Sequence, residues 1–423
     1  MGEKMMYITK KNSFKDSRAI EFVKDFLPRY KLNVFVQFVK KHKELELLFR
    51  GNGDNPCVII YRNNHRVWTI RKKGTEKYII SIGLNIARYT NDWYDKVQKF
   101  VCKYKEHYYK TLNKIPSVRK NYAFDKDLIT DEVNEVTDEF VSDSYEMLKA
   151  FFDDYFNFED LKKTDYIKSK YLNDHYQKVG DTKSNDRPVK AEKILQQELF
   201  SKILNGENSR YFAYDLEFAQ PYPDDEYKKK MIIGNNHPDM FAIKHDKDGS
   251  YKLVLVEVKS KSTSCNDHKD KNGKEIPGVI KHLKGMKSYL EEKIEFQYNN
   301  GDIYSKNLIE SRKDEAISVV NDYRKLCLRG FKKNKAPKYF VDFANKDGKI
   351  SFAGVEILFI FTDLNLDAEF HYTPNKKSAI DWLNTLSLHK KTEIKNICSD
   401  LKNTKNVDVL FMTYSKSMKN YTL

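Results

Sequence analysis

The chain has 423 residues, with 76 Lys and Arg against 61 Asp and Glu, a formal net charge of +15. That length allows two or three domains and a sizeable core, and the charge favours a polyanionic partner. No apolar run reaches the length of a membrane span, the start lacks a signal-peptide pattern, and the cysteines (Cys57, Cys102, Cys265, Cys327 and Cys398) form no CxxC pair, which argues against a membrane protein, a disulfide framework or a cysteine zinc site, and for a cytoplasmic location.

Residues 1–115 read as an α+β domain for recognition or regulation. Phe14 to Tyr30 has the spacing of an amphipathic helix, and Leu45 to Ile86 is β-rich. Cys57 to Arg62 and His65 to Lys72 flank an Asn63-Asn64 turn, and Gly74-Thr75 leads into a further strand over Lys77 to Leu84. Arg62, Arg66, Arg71, Lys72 and Lys73 surround Tyr61, Trp68 and Tyr78. Two readings of this patch stand: a surface that tracks a nucleic-acid backbone, with Arg66 and Arg71 as contacts, or a solvated sheet face whose Trp68 and Tyr78 belong to the core.

Helical spacing then runs over Asp92 to Leu112, Ile129 to Tyr155 and Asp160 to Val179. Residues 116–187 are therefore expected to form a helical connector, or a dimer surface, ending in the polar linker Gly180 to Arg187. No internal repeat, P-loop or dinucleotide fingerprint is present.

Residues 188–423 carry the chemistry. Asp186-Arg187-Pro188 starts a helix that is expected to reach Leu204, with Leu195, Leu199 and Ile203 inward. At 100° per residue, Glu192 lies about 20° from Leu199 around the axis; it is either a carboxylate aimed at a site or a surface acid at the core edge. Tyr211 to Ala219 reads as a strand, with Glu217 a secondary ligand candidate. Next come His237-Pro238-Asp239, a turn at Lys247-Asp248-Gly249, and the apolar run Tyr251 to Val258 that ends in Glu257-Val258-Lys259. With Asp248 at the centre of a hairpin, residues whose numbers sum to 496 oppose each other, so Asp239 faces Glu257 and Lys259 shares their face. Two packed carboxylates repel unless a cation joins them, and a hard oxygen set suits Mg²⁺ or Mn²⁺. Such an ion can hold a phosphate oxygen and acidify a bound water, while the lysine orients that water or stabilises the transition state.

A helix over Val279 to Ile294 is expected to bury Leu283, Met286, Leu290 and Ile294; a buried strand over Val355 to Phe361, a helix over Ala379 to Leu401 and a strand over Val407 to Thr413 follow. Lys261, Lys281 and Lys284, with His282 and Lys287 nearby, are candidates for contacting phosphate.

The residues Pro238-Asp239 and Glu257-Val258-Lys259, in this order of elements, resemble the PD-(D/E)xK nuclease superfamily. The resemblance implies an α/β, restriction-endonuclease-like αβββαβ core with a central mixed sheet. It implies a Mg²⁺- or Mn²⁺-dependent nuclease, with DNA favoured over RNA. Asp239, Glu257 and the Val258 carbonyl would bind the ion, Glu192 would complete the site, Lys259 would position the water, and products would end in 5′-phosphate and 3′-hydroxyl groups. RecB-like members carry Gln and Tyr one turn apart on the following helix; here Tyr289 stands four residues after Gly285, which leaves the subfamily open. A fold-level analogy points to bacterial defence or restriction, with a homodimer and a regulatory ligand or partner protein as expected companions. The alternative is a nucleic-acid-binding protein whose nuclease fold does not cut.

Overall fold

The computed structural model describes residues 6–10, 23–42, 44–50, 57–62, 65–73, 77–82, 128–133, 136–156, 196, 199–203, 209–216, 238–259, 262–269, 275–291, 293–297, 303–328, 340, 352–362, 378–414 and 418–421. Strand β1 spans Met6–Lys10. The helix expected over Phe14 to Tyr30 is, where described, a single 3-10 turn at Val23–Phe26. Arg29 follows with φ of 74°, a left-handed backbone that stops a right-handed helix. Helix α1 (Asn33–Lys41) comes next.

Strands β2 (Leu45–Arg50), β3 (Cys57–Arg62), β4 (His65–Lys73), β5 (Lys77–Ile82) and β6 (Leu128–Val133) make an antiparallel sheet in that order. Helix α2 (Asp138–Phe156) joins α1 over it. The Trp68 ring packs edge-on against Phe35 and Phe38, and its Nε1–H donates to Ser144 Oγ at 3.1 Å. The helix expected from Ile129 to Tyr155 is therefore two elements. Pairing with β5 turns Leu128–Val133 into an edge strand, because a free sheet edge supplies hydrogen bonds that outweigh a weak local helical pattern. The spans Asp92 to Leu112 and Asp160 to Val179 lie outside the described residues.

A one-turn π-helix at Leu199–Ile203, with Leu199 and Phe200 buried, precedes β7 (Tyr211–Leu216). Then follow β8 (Met240–His245), β9 (Tyr251–Lys259), the short α3 (Ser262–Cys265), the two-residue β10 (His268–Lys269) and β11 (Glu275–Ile276), and α4 (Val279–Glu291). Strands β12 (Lys293–Gln297) and β13 (Ile303–Asn307) lead to α5 (Leu308–Lys325) and β14 (Phe352–Thr362). Helices α6 (Ala379–Asn384) and α7 (Leu388–Lys405) and strands β15 (Val407–Tyr414) and β16 (Met418–Tyr421) close the order.

The six-stranded sheet runs β16-β15-β14-β9-β8-β7. Strands β7, β8 and β9 form an antiparallel meander, β9, β14 and β15 are parallel, and β16 is antiparallel. The region is mixed α/β. Strand β9 lies between β8 and β14, and its run Leu253 to Lys259 is buried without a break, the signature of a strand covered on both faces. Helices α4 and α6 cover the face that carries Glu257: Tyr289 packs on Phe241 and Trp382 stacks on Phe361, and those strand residues are registered with Leu255 and Lys259.

Two boundaries differ from expectation. The helix from Val279 stops at Glu291, because Lys293–Gln297 pairs with β1 on one side and β13 on the other. The helix expected over Ala379 to Leu401 breaks at residues 385–387. Ser378 caps α6 in a reciprocal capping box with Asp381, and the Ser387 side chain accepts the Lys390 amide to start α7. The two sheets meet where Tyr323 of α5 donates its hydroxyl to the Leu47 carbonyl at 3.0 Å and packs on Phe49. Among the described residues no helix is long and apolar enough to cross a membrane.

Candidate active site

The β8–β9 turn sets the geometry. Gly249 takes φ of 84°, and Asp248 Oδ1 accepts from the Ser250 amide at 2.9 Å and its hydroxyl at 2.7 Å. These bonds fix the turn and hence the register, which runs from His245↔Tyr251 to Met240↔Val256. One step further, the same register sets Asp239 opposite Glu257. Asp239 sits just before β8, and its Oδ2 accepts the Val258 backbone N–H at 2.7 Å.

Glu257 is 2% exposed and Lys259 4%. Lys259 Nζ donates to Glu257 Oε1 at 2.6 Å, and His282 Nε2 lies 3.3 Å from the same oxygen. Glu257 Oε2 is buried and has no hydrogen-bond partner among the described residues. Burial pushes the Glu257 carboxyl up from its ordinary value; the Lys259 charge and hydrogen bond, and the Asp239 backbone N–H, pull it back down. Burial, and then the Lys259 charge, hold the His282 imidazole well below its usual range. A buried oxygen left unsatisfied costs on the order of 1–3 kcal/mol. A hard cation at Oε2 would remove that cost, so the carboxylate chemistry fits Mg²⁺ or Mn²⁺. Among the described residues no three His, Cys, Asp or Glu side chains form a group able to hold a metal. Glu192, expected to complete the set, lies outside the described residues, as do Glu217, His237 and Lys261.

His282 is the site neighbour whose closeness to Glu257 the sequence did not reveal. It comes from α4, whose start is pinned by Gly278. A Cβ on Gly278 would clash with the backbone of Cys265, Asn266 and Asp267, so glycine is required by close approach rather than by its own dihedrals. The Gly278 amide donates to Asp267 Oδ1 at 2.6 Å, and the Gly278 carbonyl accepts the His282 amide at 2.9 Å. A signal did exist: His282 precedes the buried Tyr289 by seven residues, about 20° around the helix.

The cations expected to meet phosphate are differently placed. Lys284 pairs with Glu393 at 2.8 Å, Lys287 pairs with Asp400, and Lys281 is half-buried on the first turn of α4. In the first sheet Tyr61, Trp68 and Tyr78 are all buried, which agrees with the reading that puts Trp68 and Tyr78 in the core. Arg71 is half-buried, Lys72 is tied to Asp25 at 2.9 Å, and Arg66 lies on β4 with its side chain outside the description.

A second buried charge cluster occupies the opposite face, toward the other end of β9. Glu356 of β14 is 0% exposed; Tyr211 donates to its Oε1 at 3.0 Å and Lys244 pairs with its Oε2. Lys252 bridges Asp246 and Asp408, each at 2.8 Å. A cavity of about 440 Å³ opens there, lined by Arg210, Tyr211, Lys244, Asp246, Leu410 and Met412 among others. Neither Glu356 nor Lys244 stands in a recognisable motif, and only the register Glu356↔Val254, with Lys244↔Lys252, brings them together. Comparison with known proteins adds no label to either cluster: no family model, curated protein or solved structure gives a significant match to this chain.

Proposed function

We propose that this chain is a metal-dependent nuclease of the PD-(D/E)xK type, with a restriction-endonuclease-like core in residues 188–423 and DNA as its favoured substrate. The observation that carries the reading is Glu257: a buried carboxylate with one oxygen held by Lys259 and the other without a partner among the described residues, opposite Asp239 in the strand register. The order of β7 to β9, α4, β14, α7 and β15 supports it, as does the net charge of +15, which suits a polyanion.

Asp239 and Glu257 are the residues that would hold Mg²⁺ or Mn²⁺, with the Val258 carbonyl between them and Glu192 as a further ligand. The bound ion supplies Lewis-acid charge and an acidified water. The protein's own part is positional. The Val258 amide fixes the Asp239 carboxylate. The β9 backbone carries Glu257 and Lys259 on one face, two residues apart. Lys259, which donates to Glu257 Oε1, would orient the attacking water and offset charge on the transferring phosphate. Burial excludes bulk water and strengthens each of these charges.

The test is a cleavage panel of single- and double-stranded DNA and RNA with Mg²⁺ or Mn²⁺, with and without EDTA. Cation-dependent DNA cleavage is expected, slowed at least about a hundredfold in Lys259→Ala. Absence of cleavage with every substrate and both ions, or equal rates in the two proteins, rejects the assignment; cation-independent binding without cutting favours the non-cutting alternative.

A further inference from the structure

We propose that Lys390 and Lys391, in the first turn of α7, grip the phosphate backbone of a DNA strand beside the Glu257–Lys259 site. This rests on the nuclease-type reading of that site and adds to it a surface that holds the substrate.

Placement is the first observation. The pairs Lys284–Glu393, Lys287–Asp400 and Glu291–Lys405 step in the same direction along α4 and α7, so the two helices run parallel and start at the same end. That end is where β9 finishes. Lys259 is registered with Phe361 of β14, Phe361 stacks on Trp382, and the Trp382 indole N–H donates to Asn266 Oδ1 at 2.9 Å. Lys390 Nζ donates to the same oxygen at 2.7 Å. Ligands of open α/β sheets gather outside the carboxyl ends of the parallel strands, and the start of α7 lies at that end of β9 and β14.

Charge is the second observation, and it is independent of the first. Elsewhere on α4 and α7, Lys284, Lys287, Lys402 and Lys405 each face a carboxylate. Lys390 instead meets the neutral amide of Asn266, and Lys391 and Lys395 have no ion-pair partner among the described residues. The acids Asp267 and Asp381 accept from backbone amides, those of Gly278 and Ser378. The first turn of α7 contains no acid. Cations there oppose the helix dipole, and Lys391 and Lys395, four residues apart, repel each other. The arrangement weakens the helix in the free protein, and a phosphate backbone lying against these side chains reverses both effects.

The experiment is an anisotropy titration of labelled duplex DNA in EDTA over a salt series, on the full chain, with cleavage in Mg²⁺ measured alongside. The proteins are native, Lys390→Gln with Lys391→Gln, and Lys402→Gln with Lys405→Gln. The two double variants remove the same charge from opposite ends of one helix, and glutamine is a good helix former. The first is expected to weaken binding about tenfold or more at about 0.1 M salt and to lower the salt slope by about two; the second should stay within about threefold of native. Native-like binding in the first variant, or equal weakening in both, overturns the surface while cleavage by the native chain still marks the site as real. A native chain that binds no duplex also overturns the surface. A chain that binds through Lys390 and Lys391 but cuts with no ion supports the surface and removes the nuclease reading instead. Should the first variant fail to fold, Lys391→Gln alone decides: about fivefold weaker binding is expected, and native-like binding overturns the role.

Discussion

Two buried glutamates in the same sheet have opposite environments. Glu356 and Glu257 lie on adjacent parallel strands, on opposite faces, with registers that differ by three residues, roughly 10 Å along the strands. Both are pushed up by burial, and both face a lysine. Glu356 has one oxygen on the Tyr211 hydroxyl and the other on Lys244, so its hydrogen-bonding capacity is met on each side. Glu257 has one crowded oxygen and one without a partner among the described residues. Burial alone does not distinguish these two carboxylates; the oxygen without a partner among the described residues does.

The contrast breaks most sharply on substitution. Glu257→Gln is expected to lower Mg²⁺-dependent cleavage by about a thousandfold or more, and the added ion should no longer raise the melting temperature, since nothing then binds it in the folded state. Glu356→Gln should do the reverse: cleavage per folded molecule unchanged, ion-induced stabilisation retained, but stability lowered by about 1–2 kcal/mol, because half-buried Lys244 loses its charged partner and keeps Asp246 at 3.7 Å. Denaturant melts with and without Mg²⁺, paired with cleavage rates, read both variants. Loss of cleavage in Glu356→Gln with full stability would erase the distinction.

A third buried carboxylate sharpens it. Asp322 of α5 has Lys325 at 3.4 Å from one oxygen and no partner on the other among the described residues, and burial pushes its carboxyl up from 3.8 to about 6. A carboxyl raised in the folded state favours its neutral form. Stability is therefore undiminished below pH 3.8, falls as pH rises toward 6 and stays reduced above that, by on the order of 2–3 kcal/mol for a shift of this size. Asp322→Asn should stabilise the protein by up to that amount at pH 7.5 and by much less at pH 4.5, with cleavage unaffected. A gain of equal size at both pH values would show that the cost has another origin. Lys325 is the charged group against Asp322 among the described residues, whereas Glu257 stands beside Asp239 and Lys259.

The sequence was most legible where local chemistry dictates geometry. The Asp-Gly turn fixes the β8–β9 register through Asp248 and Gly249, and that register alone places Asp239 across from Glu257. It was least legible where long-range pairing decides. Leu128–Val133 becomes a strand only because β5 has a free edge, and Lys293–Gln297 leaves its helix only because β1 and β13 claim it. The break between α6 and α7 contains no proline or glycine; only the serine caps record it. The helical spacing put His282 on the inward side of α4, but its 3.3 Å approach to Glu257 depends on how closely α4 approaches residues 265–267, a distance that no spacing rule encodes. The aromatic residues among the first sheet's arginines left two readings open for a related reason: the packing of Trp68 against Phe35 and Phe38 of α1 is a property of the assembled layers.

Strand β1, from the beginning of the chain, pairs in parallel with β12, nearly three hundred positions later, and makes β12 the middle of its small sheet. A fragment cut to begin at residue 188 would keep every side chain assigned to hydrolysis yet strip one flank from β12. That would bare a row of amides and carbonyls ready to pair with a neighbouring molecule, so such a fragment invites clumping unless the first ten residues are supplied separately.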